Sequence, residues 1–280
     1  MRLIESAGPW PFVTRKTLQH ADGALHVLLS RAHRKGLRSG PAAVAADRAW
    51  QHSLWLPRQI NWWIGVLFAL GSVLFALGSA LSLDAALAHA WAMSATAVNA
   101  VYFAGSIPFT SAAALQLYQA ASAAPFAGPA TRRPGMLAWR PHDIGWLSSA
   151  LQFAGTLLFN LSTYAAMALH SAWWMQDLAI WAPDLFGSIL FLASGYLAFI
   201  ETCHAHWAWR PRSLAWWVTI TNLLGCIAFM ASALLAYAPQ QAMSALPATL
   251  ATVFTLLGAL GFLVGALLSL PEALAASVTV

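Results

Sequence analysis

Long apolar runs, unbroken by charge, dominate the pattern of this chain. Residues 59–83, 85–130, 144–176 and 213–271 contain no Asp, Glu, Lys or Arg, whereas one helix crossing a bilayer core needs about 20 apolar residues. The second and fourth runs are long enough to require a break. The AHAW segment around His89 and the stretch AYAPQQAMSALPA around Pro239 supply polar groups and a proline without a donor for those breaks. The pattern predicts six spans near residues 59–82, 91–118, 145–169, 178–201, 214–237 and 247–270, hence an all-α integral membrane protein with six transmembrane helices.

The spans are not independent of one another. The octet WLPRQINW at 55–62 returns as WRPHDIGW at 139–146 and as WRPRSLAW at 209–216. Fourteen residues after each proline comes a glycine with a small neighbour, and four residues later a phenylalanine: Pro57, Gly71 and Phe75; Pro141, Gly155 and Phe159; Pro211, Gly225 and Phe229. A shorter echo follows as GSIPF at Gly105, GSILF at Gly187 and GALGF at Gly258, which lie 34, 32 and 33 residues beyond the first glycines. Self-similarity sustained over such periods marks a repeated structural unit. The chain divides into a leader, residues 1–55, and three tandem helical hairpins, 56–138, 139–208 and 209–280. Each octet reads as the entry to the first helix of a hairpin, with proline at the first helical position, where its missing N–H costs nothing. Trp55, Trp62, Trp139, Trp146, Trp209 and Trp216 are expected to anchor in the headgroup layer. Gly71, Gly105, Gly155, Gly187, Gly225 and Gly258 are expected to let helices approach closely, since packing rather than hydrophobicity drives association in lipid.

Composition and charge agree with this reading and orient it. The chain is 60% hydrophobic and 8% charged, with a mean hydropathy of +0.64, which excludes an ordinary soluble domain. All fourteen Lys and Arg residues lie in the leader up to Arg58, between Arg132 and Arg140, or at Arg210 and Arg212. With six spans these segments share one face, so the positive-inside bias predicts that both termini are cytoplasmic. No secretory signal opens the chain, and the first helix is expected to serve as its own insertion signal. Residues 1–58 carry nine of the basic residues, and the portion ADGALHVLLSRAHRKGLR places Leu25, Leu28 and Leu29 on one side of a helix. Three states fit it: an amphipathic surface helix with its cations on anionic lipid headgroups, a docking arm for a membrane-protein partner, or a mobile tail. Nucleic acid is not expected as a partner, because no aromatic-basic recognition pattern accompanies the charge.

The candidate chemistry is sparse. The repeat register brings Gln152 and Asn222 to one position, where the first repeat has Phe68, and brings Gln119, Glu201 and Glu272 to another. Buried amides in lipid seek partners, so interhelical hydrogen bonding is expected of Gln152 and Asn222, with the lining of a solute path as the alternative. Asp184 and Glu201 are the carboxylates within or bordering a span, at opposite ends of the fourth helix, which argues against a proton relay. Glu201, Cys203, His204 and His206 are ligand types that could hold zinc or copper, but helical spacing splits them between faces, and no metal is predicted. His89 and His170 recur in HAWAM and HSAWWM, while Gln240 stands near that place in the third repeat, and no haem is predicted. Cys203 and Cys226 form no disulfide framework. No catalytic signature of a hydrolase, metalloprotease or nucleotide-binding enzyme is present, so no cofactor and no enzymatic activity are expected.

At INWWIGVLFALGSVLF and its partner AVYFAGSIPF, the sequence resembles the YrhK-like family of small membrane domains. The likeness is clearest over residues 59–117, is recognisable over 143–201 and fades over 213–270, where Cys226 and Ala259 replace serine. The resemblance implies a bacterial inner-membrane hairpin of unassigned activity, here in three copies, and carries no functional residues with it. Nearly charge-free helices with interface tryptophans and a basic leader favour a non-enzymatic scaffold or accessory subunit of a membrane assembly. The alternative is a pseudo-threefold channel or carrier for a small, largely apolar or neutral solute, since repeats often build transport sites.

Overall fold

A computed structural model describes residues 2–37, 53–126, 138–168, 173–237 and 245–277. Pro239, Gln240, His170 and the basic residues Arg132 and Arg133 lie outside the described residues. Three antiparallel strands come first, in the order β1 (Arg2–Ala7), β2 (Arg15–Gln19) and β3 (Leu25–Leu29), followed directly by a short helix, α1 (Ser30–Lys35). The helical reading of Leu25, Leu28 and Leu29 is therefore corrected: this run is a strand. Asp22 and Gly23 are the reason. The Asp22 carboxylate accepts from the Ala24 amide at 3.0 Å and Gly23 takes φ +83°, so the chain reverses and Leu25 pairs with Gln19.

Six long helices follow: α2 (Ile60–Leu83), α4 (Ala95–Ser122), α5 (Ile144–Ala165), α7 (Ala182–Cys203), α8 (Leu214–Leu235) and α9 (Ala245–Ser277). Two short pieces, α3 (Ala85–Ala90) and α6 (Trp173–Gln176), lie between them, and a π-helical turn (Asp177–Trp181) leads into α7. All six long helices, α7 together with its preceding turn, are long and apolar enough to cross a membrane, so this is an α-helical, multi-pass membrane fold. Each packs against the next in chain order, and α9 closes back on α2, making a ring of six. Pro108 in α4 and Pro271 in α9 sit inside helices that continue through them, as is tolerated in membrane helices when neighbours re-satisfy the backbone.

The octets have a definite structure. The amides of Gln59, Asp143 and Ser213 donate to the carbonyls of Leu56, Arg140 and Arg210, each closing a β-turn with proline in its second position. The prolines thus set a turn ahead of the helix instead of occupying its first position, because the helices begin three residues later, at Ile60, Ile144 and Leu214. Asp143 and Ser213 then cap them with their side chains. The tryptophans divide likewise. Trp55, Trp139 and Trp209 are exposed, but Trp62, Trp146 and Trp216 are buried, and each pair meets edge to face at 4.9–5.5 Å. Trp62 and Trp216 donate back to the carbonyls of Leu54 and Ala208. Trp62 and Trp216 therefore tie their entry turns to the bundle, and all three second tryptophans pack against protein.

On the ring axis sits a pack of phenylalanines. Phe75, Phe159 and Phe229 come from α2, α5 and α8, and Phe109, Phe191 and Phe262 from α4, α7 and α9. A Cα–Cβ bond leans toward the helix N-terminus, so in antiparallel partners rings set four residues beyond each glycine converge on the glycine level from both sides. Within hairpins the rings lie 4.8–5.7 Å apart, and between hairpins 5.6–6.1 Å. The glycines make room for them. A Cβ on Gly71 would stand 2.4 Å from the Phe109 ring and 2.9 Å from the Gly105 carbonyl, and the pairs Gly155 with Phe191 and Gly225 with Phe262 repeat the contact at 2.7 and 2.8 Å.

Candidate functional site

Polar side chains gather on the axis at both faces of this aromatic septum. At the basic end, α1 enters the mouth of the ring. Its residues Arg31, Arg34 and Lys35 are spaced three and four apart and share one helical face. Arg31 forms a two-pronged pair with Glu272 at 2.9 and 2.8 Å, and Lys35 reaches the same carboxylate at 2.6 Å. Arg34 pairs with Glu201 at 2.9 Å, and Ser30 donates to the other Glu201 oxygen at 2.8 Å. Gln119, the third residue at this repeat position, donates to Asn61, whose amide in turn donates to the Lys35 carbonyl at 2.9 Å. The three equivalent positions thus form one collar that grips α1.

These ion pairs are almost dry. The Glu201 side chain is 1% exposed and that of Arg34 9%. Burial is the largest influence on Arg34 and disfavours its charged form, yet the neighbouring Glu201 carboxylate outweighs it and the pKa is raised. Lys35 is pushed down to about 8, chiefly by burial and by the adjacent Arg31. The docked state therefore binds this proton less tightly than a released α1, whose lysine titrates near 10.5, so docking strengthens as pH rises from 8 toward 10.5 and is level below 8. Energy transfer between fluorophores placed at Trp10→Cys and Trp139→Cys should report a rising docked fraction across that window, and no rise in Lys35→Met; a fall with pH in the wild-type chain would contradict the assignment.

Beneath α1 lies a cavity of about 70 Å³, bordered by the three cations, by Gln152 and Asn222, and by hydroxyls including Ser148 and Thr219. Expected to bond between helices, the two amides form no such bond among the described residues. They line this cavity, and the Asn222 Oδ1 is buried without a hydrogen-bond partner. Phe68, at the equivalent depth, lines it too.

Across the septum is a cavity of about 60 Å³, bordered by the phenylalanines, Ser106, Thr156, Ser232, Thr255 and Asp184. A larger one of about 530 Å³ adjoins it, sharing Phe75, Asp184, Ser232 and Thr255 and adding Tyr102, Asp177 and Trp181. Three residues before the second glycine of each repeat stand Tyr102, Asp184 and Thr255, and all three border this space. Sequence reasoning named Asp184 only to discount it. The register of the second glycines was the signal that could have placed it on the axis.

The four ligand types near the end of α7 go separate ways. His204 takes the left-handed conformation at φ 55°, ending the helix at Cys203, so the helical spacing expected to reach His206 stops short of it. Glu201 serves the collar, Cys203 is buried, His204 meets the Thr14 hydroxyl at 2.9 Å and His206 meets the Tyr196 hydroxyl at 2.8 Å. Burial, with Arg210 and Arg15 nearby, lowers the His204 pKa. His89 lies in the last turn of α3.

The fold and site define a polytopic helical membrane protein whose closed ring holds two polar axial chambers parted by aromatic rings. No known protein family, curated protein or solved structure matches the chain.

Proposed function

We propose that this protein is a membrane conduit, a channel or carrier for a small solute, held closed by its docked N-terminal unit. The observation that carries this reading is the pair of polar chambers on the axis of a closed six-helix ring. Packing alone gives no reason to line two membrane-depth voids with amides, hydroxyls and a carboxylate, each expensive to bury there. The septum and the α1 collar then act as two barriers in series. The resemblance to YrhK-like domains supports a bacterial inner membrane, and the basic segments support a cytoplasmic face for α1 and both termini, with Arg and Lys against anionic lipid.

Reconstituted liposomes test the reading. Release of α1 by Glu201→Ala with Glu272→Ala should raise the flux of at least one small solute several-fold over the wild-type chain. Flux equal to that of empty liposomes for both proteins, across ions and small neutral solutes, would replace the conduit with a scaffold for a membrane assembly. An impermeant thiol reagent should label Asp84→Cys in intact cells; labelling only after lysis would reverse the proposed orientation.

A further inference from the structure

We infer that the small chamber at Asp184 is a binding site for a monovalent metal cation of the sodium class. The inference names the solute for the conduit proposed above; it rests on that reading for the cation's passage but not for its binding.

The lining carries the argument. Among the described residues Asp184 forms no hydrogen bond or ion pair, although Glu201 at the other end of α7 is fully engaged. Four hydroxyls share its chamber, and each lies within donor distance of a backbone carbonyl: Ser106 of Phe103 at 2.8 Å, Thr156 of Phe153 at 2.7 Å, Ser232 of Ala251 at 2.8 Å and Thr255 of Ala251 at 3.1 Å. Ser232 and Thr255 also share a hydrogen bond at 2.8 Å, and Ser106 accepts from Thr163 at 3.3 Å. Each proton is thus spent on a protein oxygen, and each hydroxyl oxygen, with two lone pairs, keeps at least one for the chamber. The remaining lining is phenylalanine, so no side-chain N–H and no cation borders the space. A site made only of oxygen acceptors with one negative charge rejects anions and matches a hard cation of one positive charge. Transition metals are a poorer match, since the chamber offers neither imidazole nor thiolate.

The surroundings point the same way. Between Arg58 and Arg132, between Arg140 and Arg210, and after Arg212 the chain has no Lys or Arg. The half of the ring beyond the septum therefore carries no fixed positive charge to oppose a cation. The larger adjoining chamber adds a second carboxylate, Asp177, and the aromatic faces of Tyr102 and Trp181, surfaces that attract cations. It also gives a wide approach to a chamber whose size suits one ion with a little water.

Thermal unfolding of the full chain in detergent tests the binding, with sodium, potassium and choline chlorides compared at constant ionic strength. Sodium should raise the midpoint saturably over choline. Asp184→Asn should abolish the increment, and Ser232→Ala with Thr255→Val should weaken it at least several-fold while keeping the carboxylate. No difference between sodium and choline, or an equal increment in Asp184→Asn, would overturn the site. Sodium-22 uptake into liposomes by the Glu201→Ala, Glu272→Ala chain is the separate measurement: saturable binding without uptake would leave the site standing and remove sodium as the conduit's solute, while uptake of neutral solute with no sodium-dependent stabilisation would keep the conduit and remove the site.

Discussion

Replacing Glu201 with Ala is expected to release the N-terminal unit from the ring while the helical bundle stays folded. The change leaves the buried Arg34 guanidinium without its hydrogen-bonded ion-pair partner, and it removes the acceptor of Ser30. Breaking one partner out of a buried pair costs about 3–5 kcal/mol. The α1 helix has six residues, and a helix that short does not hold itself in place without tertiary contacts. Trypsin should then cut at Arg31, Arg34 and Lys35, followed by mass spectrometry of the fragments. A combined Glu201→Leu and Arg34→Met change should restore protection, since apolar replacement of a buried pair is often neutral. Protection unchanged in Glu201→Ala, or cleavage equally fast in the combined variant, would show that the collar does not hold α1.

Gly71→Ala should destabilise the bundle by about 1–3 kcal/mol, the usual cost of overpacking a close contact, and Gly187→Ala should cost clearly less. The new methyl at Gly71 would meet the Phe109 ring at 2.4 Å and the Gly105 carbonyl at 2.9 Å, so ring and backbone must both move. At Gly187 the nearest atom is a carbonyl at 3.2 Å, and the others stand at 3.4 Å. The order of the two melting midpoints in detergent is the measurement. Equal losses, or a larger loss at Gly187, would mean that these distances do not control the packing.

The sequence by itself determined the number of membrane-crossing helices and where each hairpin begins, because apolar run length and the octets are local properties of the chain. By the spacing of the second glycines it also aligned Gln119, Glu201 and Glu272, which the fold brings together around α1. It misassigned the leader: Leu25, Leu28 and Leu29 suit a helix by spacing, and only pairing with β2, triggered by Asp22 and Gly23, decides for a strand. Nor does the octet show which of its two tryptophans is buried: burial of Trp62, Trp146 and Trp216 depends on what the turn folds back against. Tertiary structure alone decided that α1 plugs the ring, since the partners of Arg34 and Arg31 lie 167 and 241 residues away. It likewise decided that Asp184 faces a chamber. A lone carboxylate in a helix carries no local mark of what it faces; closure of the ring, with α9 against α2, puts it beside the hydroxyls of four other helices.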